Sequence, residues 1–269
     1  MSLNHSIHLH SIQNARELGG YITDGGRRIT NGLLLRTASL NGISDDDIRL
    51  LTNVYRVQHI IDFRMAMEMT GAEDPPIDGA AYHHLNVIDL SNLPPQDMPE
   101  MDIRSLDLIQ MIRMSEQVGM LDENMYVGFL MSETGKKAYA DFFRILLDTD
   151  PERAVLWHCT GGKDRTGLAA MLILSALGVD EETVVKDYLL TNEFNAQRIA
   201  GTEHHLKAKG YDDALIKKAT LVFDAVDERF MCNALAWMKK EYGSVPGYIR
   251  DGLHISQTEI EKLKEKYLN

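Results

Sequence analysis

His158-Cys159-Thr160-Gly161-Gly162-Lys163-Asp164-Arg165-Thr166-Gly167 sets a cysteine and an arginine at the two ends of a short loop, with two glycines and a lysine between them. A cysteine thiol at a helix N-terminus beside a guanidinium ionises more readily, and the thiolate is the nucleophile. Cys159 is therefore a candidate nucleophile. Arg165 is a candidate bidentate clamp for two oxygens of a tetrahedral anion, holding them as charge shifts in the transition state. Thr166 can donate its hydroxyl to the sulfur, which makes the thiolate a better leaving group in a second, hydrolytic step. Thr160, Gly161, Gly162, Lys163 and Asp164 complete a cradle whose backbone N–H groups can take up an oxyanion. These parts together fit hydrolysis of a phosphate monoester through a cysteinyl-phosphate.

Two other readings of the loop are weaker. A nucleotide-binding P-loop needs Ser or Thr after the lysine and four residues between its glycines; Asp164 follows Lys163, and Gly161 and Gly162 are adjacent. A buried structural cysteine beside an ordinary Gly-Gly-Lys turn leaves Arg165, Thr166 and Gly167 as coincidences in one strand–loop–helix setting.

The elements that must position this loop flank it directly. Ala154-Val155-Leu156-Trp157 is an apolar run short enough for a buried strand, and Leu168 to Leu177 is rich in helix formers and stopped by Gly178. Residues 154–177 thus read as a strand–loop–helix unit. Ile29 to Leu35 and Val57 to Phe63 read as strands, with a helix between them opened by a capping box of Ser44 and Asp47. Tyr82 to Ile88 reads as a third strand. Gly135 to Leu147 carries Ala138, Phe142, Ile145 and Leu146 at helical spacing; Asp180 caps a helix to about Asn195, and Ser256 with Glu259 opens a last helix ending near Lys266. Strands alternating with helices predict an α/β fold, a mostly parallel central sheet flanked by helices.

Pro94 to Met131 stands apart. It holds seven of the fourteen methionines, Met98, Met101, Met111, Met114, Met120, Met125 and Met131. Residues 94–131 are expected to be a helical insertion: a repacking lid over the loop, or an ordinary helix pair docked on the core. Phe194 to Phe230 is a second lid candidate.

At 269 residues and 44% hydrophobic, the chain suits a single domain, residues 1–269, with a full core. Its two cysteines make no disulfide scaffold. Cys232, among Phe230, Met231 and Leu235, reads as a buried apolar residue. A free thiol at Cys159 favours a reducing compartment, the cytoplasm. The net charge of −12 disfavours nucleic acid as a partner and gives no general attraction to anionic membranes. No apolar run is long enough for a membrane span and no signal peptide is evident. His5, His8 and His10 alternate, more in the manner of a frayed N-terminal strand than of metal ligands.

Cys-x5-Arg-Thr, with His158 before it and Gly167 after it, resembles the signature of cysteine-dependent protein tyrosine phosphatases. The form Cys-Thr-Gly-Gly-Lys-Asp-Arg-Thr-Gly is similar to the bacterial atypical subclass, the lipid-phosphatase-like or triple-specificity phosphatases. Asn14-Ala15-Arg16-Glu17-Leu18-Gly19-Gly20-Tyr21, Leu34-Leu35-Arg36-Thr37-Ala38-Ser39-Leu40, Ile60-Ile61-Asp62-Phe63-Arg64 and Tyr242-Gly243-Ser244-Val245-Pro246-Gly247-Tyr248-Ile249 resemble further landmarks of that family. The resemblance implies a phosphatase domain acting on a phosphorylated protein, phosphotyrosine foremost, with dual-specificity action on phosphoserine and phosphothreonine or action on a phospholipid (a phosphoinositide) as the alternative, and inorganic phosphate as product. It implies no metal or organic cofactor, because the thiolate, Arg165 and the loop amides suffice. Relatives of this type include secreted effectors, so export without a signal peptide stays open.

The general acid is less plain. The Trp-Pro-Asp tripeptide of better-known tyrosine phosphatases does not occur. The subclass resemblance assigns the role to Asp164, on the loop rim. Asp89, after the third strand, is the alternative acid or a turn residue. Asp62, at the C-terminal end of an apolar run, is placed where open α/β sheets put their sites; it is the other rival for the acid, or with His158 a supporting residue. Lys163 either raises the local potential for any phospho-substrate or, by resemblance to phosphoinositide phosphatases, meets a second phosphate. A catalytically inactive phospho-binding module is the alternative of another class, and the presence of Cys159, Arg165 and Thr166 argues against it. An arsenate-reductase-like or sulfur-transfer protein would need a resolving cysteine, and Cys232 has no evident pairing.

Overall fold

The computed structural model describes residues 5–88 and 107–269. Among them, strands β1 (Arg16–Glu17), β2 (Leu34–Thr37), β3 (Val57–Asp62), β4 (Ala81–His84) and β5 (Ala154–His158) form one sheet in the order β1-β2-β5-β3-β4. Every pairing is parallel except that of β1 with β2. The helices are α1 (Asp45–Arg49), continued by a π-helical turn at Leu50–Val54, α2 (Ala66–Met69), α3 (Leu108–Gln117), α4 (Met125–Met131), α5 (Glu133–Asp148) and α6 (Asp164–Leu177). After these come α7 (Glu181–Phe194), α8 (Ala196–Ala208), α9 (Asp213–Phe223), α10 (Glu228–Tyr242), α11 (Val245–Asp251) and α12 (Gln257–Tyr267). The α/β class with a mostly parallel sheet is thus the architecture observed.

β5 is apolar on both sides because it lies between two buried faces. Leu34, Ile61, Val155 and Trp157 project into the larger core, which α5, α6, α10, α11 and α12 complete. Leu35, Ile60, Ala154 and Leu156 project the other way, onto Leu51 of the π-helical turn and Ile7, Leu9 and Ile12 of the N-terminal segment. α6 is buried on almost every side, as a helix without a polar face must be. Gly178, at φ +90°, ends it in the left-handed conformation that glycine tolerates.

Several boundaries differ from the sequence reading. The first long strand starts at Leu34, not Ile29, because Gly32 at φ +77° turns the chain before it; Ile29 forms only an isolated bridge to Leu268. β4 stops at His84, short of Ile88. Ser44 caps α1 through Asp47 N, but the Asp47 carboxylate does not return to Ser44 N; it accepts from His10 N (3.0 Å) and Ser11 N (2.7 Å). That contact docks the N-terminal segment, which is not frayed: Ile7 is buried, and His5 stacks on Tyr21 while His8 and His10 stay exposed. Cys232 is exposed on α10, with Phe230 and Met231 taking the buried positions.

Within Pro94 to Met131, residues 94–106, including Met98 and Met101, lie outside the described residues. The remainder forms α3, whose Ile112 packs with Leu206, Ile216 and Ala219 of α8 and α9, and α4, whose Tyr126 and Leu130 enter the main core. The core beneath the loop is aromatic. Phe142 lies 5.9 Å from Phe63 and 5.3 Å from Trp157, ring centre to ring centre, with no exposed surface. Phe142→Ala is expected to reduce the unfolding free energy by about 3–5 kcal/mol, the cost of truncating a fully buried aromatic. Urea unfolding checks this, and a loss under about 1 kcal/mol would mean the core collapses around the gap.

Candidate active site

The register of the parallel strands assembles the site. Thr37, His158 and Asp62 lie side by side at the C-terminal ends of β2, β5 and β3, where open α/β sheets place their crevice. Cys159 follows His158 and is buried. The chain then turns through Thr160–Lys163 into α6, so the loop sits on that helix's N-terminus. Gly162 has φ +65°, and a Cβ there would lie 2.2 Å from the Thr37 carbonyl oxygen. Both facts require glycine.

The loop carbonyls are taken up from outside. Ser39 N donates to Thr160 O (3.1 Å). Asn14 Nδ2 donates to Gly161 O (3.2 Å) and Gly162 O (2.9 Å), and Arg36 Nη2 also donates to Gly162 O (3.0 Å). Beyond the loop, in the first turn of α6, Tyr139 and Trp157 donate to Arg165 O and Thr166 O. A trans peptide holds its N–H antiparallel to its C=O, so the N–H groups of Gly161, Gly162 and Lys163 face the opposite side. The Thr166 hydroxyl is buried and has no hydrogen-bond partner among the described residues.

Arg165 is locked by a residue with no signal in the sequence. Its Nη1 and Nη2 donate to Glu68 Oε2 (2.5 Å) and Oε1 (2.7 Å), and Nη1 also meets Phe63 O (3.3 Å). Thr160 Oγ1 donates to the same carboxylate (2.6 Å), as does Met65 N (2.8 Å). Burial pushes the Glu68 carboxyl up, but the Arg165 charge and these four donors outweigh it and hold it at about 2. Arg165 is buried, and Glu68 keeps it charged. One carboxylate therefore sets the arginine's rotamer and ties it to the loop.

Asp164 lies in the first turn of α6. Its Oδ1 accepts from Tyr126 Oη (2.7 Å), and Tyr126 meets Tyr188 (2.9 Å). Burial pushes the Tyr126 phenol well above its ordinary range, so it stays a donor and fixes the carboxyl on the loop rim. Lys163 turns away from the cradle: Nζ donates to Leu221 O (2.6 Å) and Ala225 O (3.1 Å) and lies 3.6 Å from Asp164 Oδ2. The loop lysine thus braces the α9–α10 connection; of the two readings offered by the sequence, this position suits a contribution to the local potential rather than contact with a second phosphate.

Asp62 is fully buried and chelated by the Arg64 Nε and Nη2 groups, with Tyr82 Oη donating as well (2.7 Å). Burial raises its carboxyl, but Arg64, His158 and Tyr82 bring it down to about 2. It holds no proton to give. His158 Nδ1 meets Cys159 O (3.2 Å), and Nε2 lies 3.1 Å from Asp74 Oδ2. Asp62, Asp74 and His158 lie close enough to hold a cation, yet Arg64 already bridges both carboxylates at 2.6 and 2.7 Å and supplies that charge. Asp89 lies outside the described residues. The structure thus gathers Cys159, Thr160, Gly161, Gly162, Asp164, Arg165 and Thr166 around one cradle, with His158 and Asp62 behind it. Glu68, Asp74, Tyr126 and Tyr188 were missed. Asn14, Arg16 and Arg36 carried a signal only as parts of motifs far from the loop.

Comparison with known proteins bears on this geometry. The model of the tyrosine phosphatase family matches residues 7–269. The chain is similar to a Cupriavidus necator protein assigned as a tyrosine-protein phosphatase, 28% identical over 264 residues, 98% of this chain and 89% of that one. It is also similar to the triple specificity protein phosphatase PtpB of Mycobacterium tuberculosis, 32% identical over 120 residues, 42% of this chain and 43% of that one. A tyrosine-protein phosphatase of Nostoc commune is 28% identical over 115 residues, 41% of this chain and 38% of that one.

Glu68 titrates near 4.5 when unperturbed and at about 2 in the folded chain. A depressed carboxyl stabilises fully above its unfolded value, and that contribution is lost as pH falls through the folded one. Replacing it by Glu68→Gln is expected to cost on the order of 3 kcal/mol near pH 7 and clearly less near pH 3. Urea unfolding at the two pH values checks this; an equal gap at both would show that the ion pair is not the source.

Proposed function

The chain belongs to the tyrosine phosphatase family, and on that premise we propose that it hydrolyses phosphate monoesters, phosphotyrosine in proteins foremost, through a cysteinyl-phosphate. The observation that carries this reading is the cradle itself: Cys159 and Arg165 at the ends of a loop whose carbonyls are bound from outside. Arg165 and the loop N–H groups hold the three non-bridging oxygens. Cys159 Sγ attacks phosphorus, the S–P bond forms, and the P–O bond to the leaving group breaks. Asp164 gives its proton to the departing oxygen. Water then attacks phosphorus and passes a proton to Asp164, and the S–P bond breaks to release inorganic phosphate and the thiolate, which the Thr166 hydroxyl stabilises.

Asp62 is set behind His158 as an anion rather than as an acid, which favours Asp164 for proton transfer. No described helix is long and apolar enough to cross a membrane. Two free cysteines fit a reducing compartment, the cytoplasm, in keeping with a thiol nucleophile. A second phosphate on a phosphoinositide would have to draw Lys163 from its two carbonyl partners, so lipids are the less favoured substrates.

Phosphate release from an aryl phosphate, phosphotyrosine, phosphoserine and phosphothreonine peptides, and phosphoinositides tests the reading. Phosphotyrosine is expected to be cleaved fastest, and Cys159→Ser is expected to abolish turnover while phosphate still binds. No release from any of these would sink the enzyme reading and leave a phospho-binding module. Asp164→Asn is expected to lower kcat by about 10²–10⁴-fold with KM little changed, the usual yield of general acid catalysis. Steady-state kinetics on the same phosphopeptide decide this, and an unchanged kcat would dismiss Asp164 as the acid.

A further inference from the structure

Beneath the loop, on the side away from the cradle, lies a buried cluster that the proposed reaction does not use. Arg16, Arg36 and Asp187 are each almost wholly buried. Arg36 Nη1 pairs with Asp187 Oδ2 (2.8 Å), and Arg16 Nε lies 3.5 Å from Oδ1. Arg16 also donates to Asp187 O, to Thr191 Oγ1 and to Asn14 Oδ1. Tyr21 Oη adds a bond to Asp187. Two guanidiniums face one carboxylate, so the cluster carries one surplus positive charge. Arg16 is brought down to about 10 by burial and by Arg36, which leaves it charged at neutral pH.

We propose that Asn14 and Arg36 are positioning residues for phosphate binding, aiming the loop amides at the oxyanion, and that the surplus charge of their buried cluster adds to its attraction. This rests on the phosphatase reading of the loop. Asn14 Nδ2 and Arg36 Nη2 hold the Gly161 and Gly162 carbonyls on the far side. No peptide bond there is cis, so the N–H groups of Gly162 and Lys163 must point into the cradle. A guanidinium on Gly162 O also polarises that peptide, which strengthens the Lys163 N–H as a donor. A cluster serving stability alone would gain nothing from an unpaired charge, since a buried surplus charge is costly. A bound anion above the loop offsets that cost. Arg16 and Asp187 in turn fix the two donors, through Asn14 Oδ1 and Arg36 Nη1.

Asn14 has φ +53°, a conformation glycine also adopts, so Asn14→Gly removes the amide without backbone strain. Inhibition of aryl phosphate hydrolysis by inorganic phosphate and by orthovanadate is measured for wild type, Asn14→Gly, Arg36→Lys and Arg36→Met, beside thermal unfolding. A folded Asn14→Gly is expected to bind both anions about fivefold or more weakly. Arg36→Lys, which keeps the charge, is expected to retain more anion affinity than Arg36→Met. Affinities within about fivefold of wild type in a folded Asn14→Gly would overturn the proposal, whatever Arg36→Met does to folding. If wild type itself neither turns over nor binds phosphate, the phosphatase reading fails instead.

Discussion

Successive peptide N–H groups can converge on one point only if their carbonyls find partners behind them. The trans peptide makes the two directions inseparable, and buried carbonyls left unpaired are costly. Between Cys159 and Gly167 the chain meets this constraint with donors from distant places. Ser39 lies just past β2, Asn14 just before β1, and Arg36 within β2. The sheet brings β2 against β5, α6 packs behind both, and the cradle is the by-product of that packing. Gly162 is where the loop touches β2 most closely, which explains why no side chain fits there.

Charge is arranged against the molecule's own balance. The chain is acidic overall, at −12, so an anionic substrate is not drawn by the whole surface. Positive charge is instead buried under and within the loop, in Arg16, Arg36 and Arg165, and water does not screen it there as it would at the surface. Arg165 has the Glu68 carboxylate to itself, while Arg16 and Arg36 share that of Asp187. Losing one partner of such a pair is destabilising, whereas replacing the whole pair by apolar groups costs little. Their effect here is orientation, since Glu68 turns Arg165 and Asp187 turns Arg36.

The same logic extends outward to the short helix α2 and to α4. α2 is four residues long and would not persist alone; it is held through Glu68, which Arg165, Thr160 and the Met65 amide bind together. α4 brings Tyr126 into the aromatic core, where its ring meets Tyr188 and Phe230 and its hydroxyl reaches Asp164. The methionine-rich stretch is therefore, in its described part, both core and support for the rim of the loop.

The local parts of this protein were legible in its residues. A short apolar run, two glycines, a cysteine, an arginine and a helix stopped by Gly178 lie within 25 residues, and strand, turn and helix preferences act over that range. The α/β class followed from the alternation of such segments. Strand ends slipped where Gly32 turned the chain, because periodicity does not register a single φ. Cys232 was misplaced because a residue's neighbours in sequence do not say which side of a helix it takes. The pairings that orient the chemistry could not be read, although Asn14 and Arg36 stood in recognisable motifs. Glu68 stands 97 residues from Arg165, Asn14 stands 148 from Gly162, Arg36 stands 126 from it, and Tyr126 stands 38 from Asp164. Sequence determined which groups could act and on what local scaffold. Only tertiary structure decided what holds them and which way they face, because those contacts depend on strand register and helix packing between segments whose own patterns carry no trace of each other.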